Sequence, residues 1–320
     1  MPLVPSAYNP PFLFRNGHLS TIYSAVFRKV AIQGQQRERL ELPDGDFMDL
    51  DWSRTGQRSR RVLVLLHGLE GNAQRPYMLG SARVFSDAGF DVCAVNLRGC
   101  SGEPNRLYRS YHSGATEDLK EVLDHLDRAY SYEEVFLKGF SLGGNLILKY
   151  LGEEPDAAAR IKAAVAISVP CDLHDSLRQL NKPRNSLYSH SFLNNLRAKL
   201  RAKQRLFPDR ITDQMLARVR SLKDFDDLYT SQAHGFVDAL DYYRRCSCLP
   251  LLGKIAVPTL LINADNDSFL GPDCYPESSG AGNPNLFFER PAFGGHVGFY
   301  QPGAVYYNEA RAIQFVCESH

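Results

Sequence analysis

An α/β fold, with a mostly parallel, doubly wound sheet and a helical insertion, is predicted by three features of the sequence. Short apolar runs of strand length recur along the chain, helical patterns separate several of them, and the alternation stops between Cys171 and Leu252. Composition agrees: 320 residues, 44% of them hydrophobic and 23% charged, exclude a disordered or collagen-like chain. Lys and Arg number 37 against 36 Asp and Glu, so the net charge of +1 gives no global attraction to nucleic acid, which is not expected as a partner.

The elements follow in order. Residues 1–36 lack a basic stretch followed by an apolar one, so no signal peptide is read and they are taken as an N-terminal extension. Arg39 to Pro43 and Phe47 to Trp52 alternate around Asp44-Gly45, the signal of an antiparallel hairpin. Val62 to Leu66 is a continuous apolar run, suited to a strand covered on both faces. Further strands are predicted over Asp91–Asn96, Glu134–Phe140, Ala163–Ser168, Thr259–Ala264 and Leu286–Glu289. Helices are predicted over Pro76–Ala88, Thr116–Tyr130, Leu142–Leu151 and Ala304–Cys317. The polar stretch 171–252 reads as helices without strands, a cap on a core formed by 37–170 and 253–320. No run approaches the roughly 18–20 apolar residues needed to span a bilayer. Seven scattered cysteines, an odd number, argue for a reducing compartment, and a cytoplasmic location is expected.

Gly139-Phe140-Ser141-Leu142-Gly143 is a G-x-S-x-G directly after a predicted strand and before a predicted helix. A sharp strand-to-helix turn strains the serine backbone and crowds the positions two residues to either side, which glycine relieves. Such a turn lifts the Ser141 hydroxyl clear of the sheet as a nucleophile, and the helix N-terminus brings free N–H groups beside a developing oxyanion. After the five-residue apolar strand, His67-Gly68-Leu69-Glu70-Gly71 resembles the oxyanion loop of α/β-hydrolases. The expected oxyanion donors are the backbone N–H groups of Leu69 and Leu142, and His67 is read as holding the loop rather than as a base.

A serine needs an imidazole base, and the imidazole needs a carboxylate to fix its tautomer. In the chain order Ser, acid, His, the base follows Ser141; His296, in Gly294-Gly295-His296-Val297-Gly298 before the last helix, has the expected position. His174, His190 and His234 fall in the insertion, and His320 is the terminus. The acid follows the strand ending at Ala264, where Asp267 fits the spacing best; Asp265 is the alternative, read as a turn-forming carboxylate.

These residues together resemble the YheT-like branch of the α/β-hydrolases, a group of candidate esterases also known as AB hydrolase family 4. The resemblance runs from Asn16-Gly17-His18-Leu19 through the His67 loop and Asn96-Leu97-Arg98-Gly99-Cys100-Ser101-Gly102-Glu103-Pro104-Asn105-Arg106 to Tyr111-His112-Ser113-Gly114. It continues through Gly235-Phe236, Asp241, Tyr242-Tyr243, Ser247, Ile255 and Pro258 to Asn266-Asp267, which supports Asp267 as the acid. It implies an α/β-hydrolase fold and a Ser141–Asp267–His296 triad with no metal or organic cofactor. The implied activity is carboxylic ester hydrolysis, with a short- to medium-chain acyl group expected. Acyl transfer to an alcohol and hydrolysis of a lipid ester are the alternatives, so the expected partner is a small-molecule ester or lipid.

Two features stand apart. Cys171-Asp172-Leu173-His174-Asp175 gathers ligand-type side chains without a recognised zinc spacing, and Asp172 serves equally as a helix cap; Cys246-Ser247-Cys248 reads as two thiols without partners. Phe192, Leu193, Leu196, Leu200 and Phe207 form a helical stripe with Arg197, Lys199, Arg201 and Arg205 off it and Lys203 at its edge. The preferred reading is a packed cap helix with solvated charges; the alternative is weak contact with a membrane surface. From Arg178 to Lys223 twelve basic residues stand against only Asp209 and Asp213.

Overall fold

The computed structural model describes the chain except for residues 57–58, 155, 157–158, 278–279, 281 and 319–320. Its strands are β1 (Leu3–Val4), β2 (Gln36–Glu41), β3 (Phe47–Ser53), β4 (Arg61–Leu66), β5 (Asp91–Asn96), β6 (Glu134–Phe140), β7 (Ile161–Ile167), β8 (Thr259–Ile262) and β9 (Leu286–Glu289). They form one sheet in the order β1-β9-β8-β7-β6-β4-β5-β3-β2. All pairings from β1 across to β5 are parallel, and only β3 runs against its neighbours β5 and β2. The Asp44-Gly45 hairpin is present, with Glu41 opposite Phe47.

The helices are α1 (Gly17–Ile22), α2 (Pro76–Asp87), α3 (Thr116–Ala129), α4 (Leu142–Glu153), α5 (Leu173–Leu180), α6 (Ser186–Gln204), α7 (Asp213–Arg218), α8 (Leu222–Phe225), α9 (Ser231–His234), α10 (Ala239–Cys246) and α11 (Tyr307–Glu318). The run Val62 to Leu66 shows why a buried parallel strand loses alternation. Val62, Val64 and Leu66 enter one apolar cluster with α3 and α4, whereas Leu63 and Leu65 enter another with α2 and α11. Both faces are covered, so every position is apolar.

Element boundaries differ from the sequence reading by a few residues. The strand predicted to reach Ala264 stops at Ile262, because the Asn263 side chain takes over the pairing. Its Oδ1 accepts from the Val169 N–H at 2.7 Å and its Nδ2 donates to the Val169 carbonyl at 3.0 Å. Residues 1–36, read as an extension, supply β1 at the sheet edge, where Leu3 pairs with Phe288. Two residues are too few to show a period.

Between β7 and β8 lie the six helices α5 to α10, which share a third apolar cluster that includes Leu177, Leu196, Tyr229 and Tyr242. In α6 the stripe Leu193, Leu196 and Leu200 is buried, and Lys203 continues it inward at helical spacing. The Lys203 ammonium donates to the carbonyls of Leu107, Tyr108 and Arg109, and Lys199 reaches Glu70 at 2.9 Å. Two of the residues read as solvated charges therefore tie α6 to loops of the core. No helix among the described residues is long and apolar enough to cross a membrane.

Candidate active site

Strand β6 ends at Phe140 and α4 starts at Leu142, so Ser141 alone makes the turn, at φ 51° and ψ −117°. A residue with a Cβ is strained there. The conformation is held by the Ser141 N–H, which donates to the Ile167 carbonyl at 2.8 Å, and by the Ser141 carbonyl, which accepts from the Asn145 N–H at 3.0 Å. The flanking glycines leave no choice of residue. A Cβ at Gly143 would sit 2.6 Å from the carbonyl oxygens of Leu66 and His67, and one at Gly139 would run into the Gly143 carbonyl.

His296 comes to Ser141 from the loop after β9. The Ser141 hydroxyl is 2.9 Å from His296 Nε2, and His296 Nδ1 is 2.8 Å from Asp267 Oδ2. Asp267 is buried, and its other oxygen accepts from the Phe269 N–H at 2.9 Å, which fixes the carboxylate plane. The Phe269 ring stacks on the imidazole with centroids 4.2 Å apart. Asp265 instead pairs with Arg290 on the surface. Geometry thus brings together the serine, acid and histidine selected from the sequence and turns Asp265 away.

Leu69 and Leu142 line the same cavity as Ser141 and His296. The loop carrying Leu69 is braced on both sides: the Gly68 N–H donates to the Tyr77 hydroxyl at 3.2 Å and the Glu70 N–H to the Tyr111 hydroxyl at 2.9 Å. His67 is fully buried, with Nδ1 2.8 Å from the Gly68 carbonyl and Nε2 accepting from the Leu97 N–H at 3.2 Å. Burial pushes its pKa down to about 4, so the ring is a neutral strut with its proton on Nδ1. That is the holding role read from the sequence.

Other supports were not singled out as functional from the sequence. Thr21 Oγ1 accepts from the His296 N–H at 2.8 Å, and Ser168 Oγ accepts from the Val297 N–H at 2.9 Å. Ser20 and Ser24 donate to the Gly294 and Gly298 carbonyls, each at 3.1 Å. A Cβ at Gly17 would strike the Asn266 carbonyl, so α1 packs directly on the loop that carries the acid. The only available signal was Asn16-Gly17-His18-Leu19, which marked a family without showing a job. Among the described non-glycine residues, Glu70, Ser141, Ser168, Val297 and Phe299 have positive φ, and all lie in loops following strands β4, β6, β7 and β9. Backbone strain is gathered at one end of the sheet, around one site.

The cavity has a volume of about 500 Å³, within the usual small-molecule range. Leu173, Leu177, Leu196, Leu222 and Phe225 line it from the helices between β7 and β8. Two of its carboxylates are paired: Glu70 Oε1 accepts from the Tyr111 hydroxyl at 2.7 Å, and Asp226 accepts from the Tyr243 hydroxyl at 2.6 Å. Burial raises the Asp226 pKa to about 6. Asp172 caps α5, its carboxylate accepting from the Asp175 N–H at 2.8 Å. Among the described residues no group of three or more His, Cys, Asp or Glu could hold a metal ion.

A family model described as the α/β hydrolase fold matches residues 61–302. The chain is 38% identical over 290 residues to the candidate esterase YheT of Escherichia coli, covering 89% of this chain and 85% of that one. It is 27% identical over 308 residues to human phospholipase ABHD3, covering 94% of this chain and 75% of that one. Among solved structures, an esterase of Pyrococcus furiosus aligns with a TM-score of 0.60 over 97% of this chain and 99% of its own, at 17% identity, a likeness of fold. With a sheet, a strained serine turn and these relatives in agreement, the chain belongs to the α/β-hydrolase fold family, in its YheT-like branch, and is a hydrolase.

Proposed function

We propose that the protein is a serine carboxylesterase in which Ser141, His296 and Asp267 form the catalytic triad. Ser141 Oγ attacks the acyl carbonyl carbon while His296 Nε2 takes its proton. The backbone N–H groups of Leu69 and Leu142 receive the oxyanion, and Asp267 stabilises the imidazolium. The proton then passes to the departing alkoxide, leaving an acyl-serine; water, deprotonated by His296, releases the acid and restores the serine. The observation that carries this reading is the unbroken hydrogen-bond chain Asp267–His296–Ser141 opening on a mostly apolar cavity.

In this reading the helices between β7 and β8 act as a cap that shapes the acyl site, and a short- to medium-chain acyl group fits the apolar lining. The named phospholipase among the relatives favours a lipid ester as the second reading. Interception of the acyl-serine by an alcohol is the transferase variant of the same chemistry. All seven cysteines are free, which supports a cytoplasmic enzyme.

The test is Ser141→Ala assayed on p-nitrophenyl esters of increasing acyl length, with fluorophosphonate labelling of the parent. Turnover should fall at least about a thousandfold and the label should be lost. Undiminished turnover in a pure preparation would sink the triad. Product analysis with a competing alcohol separates hydrolysis from transfer, and transfer would appear as a new ester.

A further inference from the structure

Six of the exposed large apolar side chains share one segment. Phe12 is 81% exposed, Leu13 67%, Val26 68% and Phe27 64%, and Leu19 and Ile22 are also exposed. Leu19, Ile22 and Val26 repeat at helical spacing along the continuous helical stretch that begins at Gly17 and ends in a π-turn over Tyr23–Phe27. The opposite side of this stretch is used up: Ser20, Thr21 and Ser24 hold the loop of His296, and Arg28 pairs with buried Glu309 at 2.7 Å. One face is thus built into the core, and the other leaves an apolar patch in water, as interaction surfaces do.

No Asp or Glu precedes Glu38, while Arg15 and Lys29 stand exposed beside the patch. His18 joins this segment to α6 through the Tyr188 hydroxyl at 3.1 Å, with the two rings stacked. Next to that joint Leu187 is 78% exposed, close in sequence to exposed Lys182 and Arg184. From Ser176 to Pro208 there is again no acidic residue. Leu193, Leu196 and Leu200 of α6 are buried, so only Leu187 at its start adds free apolar surface to that of the N-terminal segment.

We propose that this face docks on an anionic lipid bilayer, with Phe12, Leu13, Val26 and Phe27 entering the interface. Arg15, Lys29, Lys182 and Arg184 then meet the headgroups. Apolar anchors and basic residues acting together give the two signals that peripheral binding requires. A second copy of the chain fits less well, because an isologous contact would set basic face against basic face. The segment that docks also contacts the backbone of His296, so a bound membrane lies beside the candidate site.

The full chain should sediment with vesicles containing phosphatidylglycerol and much less with pure phosphatidylcholine, and salt should weaken the binding. The variant Phe12→Ser/Leu13→Ser/Val26→Ser should bind the anionic vesicles at least about tenfold more weakly. Arg15→Glu with Lys29→Glu should remove the preference for anionic lipid. Thermal melts of both variants should match the parent, since every replaced side chain is exposed. Absence of vesicle binding by the parent, or equal binding by the triple variant, would overturn the proposal. So would a parent dimer that the triple variant turns into a monomer without any vesicle binding, which would assign the face to self-association.

Discussion

His296 is oriented by three contacts that come from two distant parts of the chain. Asp267 holds Nδ1, the Phe269 ring supports its face, and Thr21, far away in sequence, holds its backbone N–H. Thr21 touches no reacting atom, so it is a positioning residue. Thr21→Val keeps the shape but removes the acceptor, leaving a half-buried N–H unpaired at a penalty of about 1–3 kcal/mol. The expected outcome is a fall in kcat of roughly tenfold or more with little change in KM, and recovery in Thr21→Ser. Steady-state kinetics on one soluble ester checks it; a loss confined to thermal stability would make Thr21 merely structural. Ser141, His296 and His67 were legible from the sequence because each sits in a local glycine-containing motif. Thr21 and Ser168 were not, because their role depends on loops brought alongside them only by folding.

Helix α6 is where an element behaves differently from its sequence pattern. Its apolar stripe and basic flank gave a packed helix with solvated charges, yet Lys199 and Lys203 point inward to Glu70 and to three backbone carbonyls. A lysine at the edge of an apolar stripe can snorkel outward or turn in, and only the neighbouring loop decides which. Lys203→Met keeps the length and strands the carbonyls of Leu107, Tyr108 and Arg109. We expect a loss of about 1–3 kcal/mol, read as a lower urea midpoint. Within the Asn96–Arg106 motif, Arg98 likewise serves architecture. Arg98 is buried, grips Asp118 through two bonds at 2.8 and 2.7 Å, and reaches Asp46 at 3.0 Å. That ion cluster fastens the β2–β3 hairpin turn to α3, a partnership no local pattern announces.

For the whole molecule, stability should fall between pH 7 and pH 5. Burial holds His67 down at about 4 and His234 at about 3, and it holds buried His112 below its ordinary value as well. A histidine whose folded pKa is depressed stays neutral while the unfolded chain takes up protons, so stability is lost as pH drops below about 6.5. For His67 alone this amounts to about 2 kcal/mol at pH 5. Asp226, raised to about 6, works the other way and offsets about 1 kcal/mol over the same interval. Lys138 and Lys203, lowered to about 7, act mainly above pH 7. Urea midpoints at pH 7, 6 and 5 should therefore decline; a flat profile would show that these rings are hydrated in solution.

The near-neutral sum of charges also resolves into parts at this scale. Of the twelve basic residues between Arg178 and Lys223, three meet carboxylates on folding: Arg178 meets Asp175, Lys223 meets Asp227, and Lys199 meets Glu70. By itself the sequence determined the strand–helix alternation, the serine turn, the glycine-bearing loop after β4 and the order in which Ser141, Asp267 and His296 follow one another. Each of these is written in local periodicity or in a glycine demanded by local geometry. Only the tertiary structure decided that Asp265 turns to Arg290, which lysines turn inward, that Leu3 and Val4 complete the sheet, and which face of residues 12–27 is left to water. Those outcomes depend on contacts between separate segments of the chain, and such contacts leave no periodic trace in it.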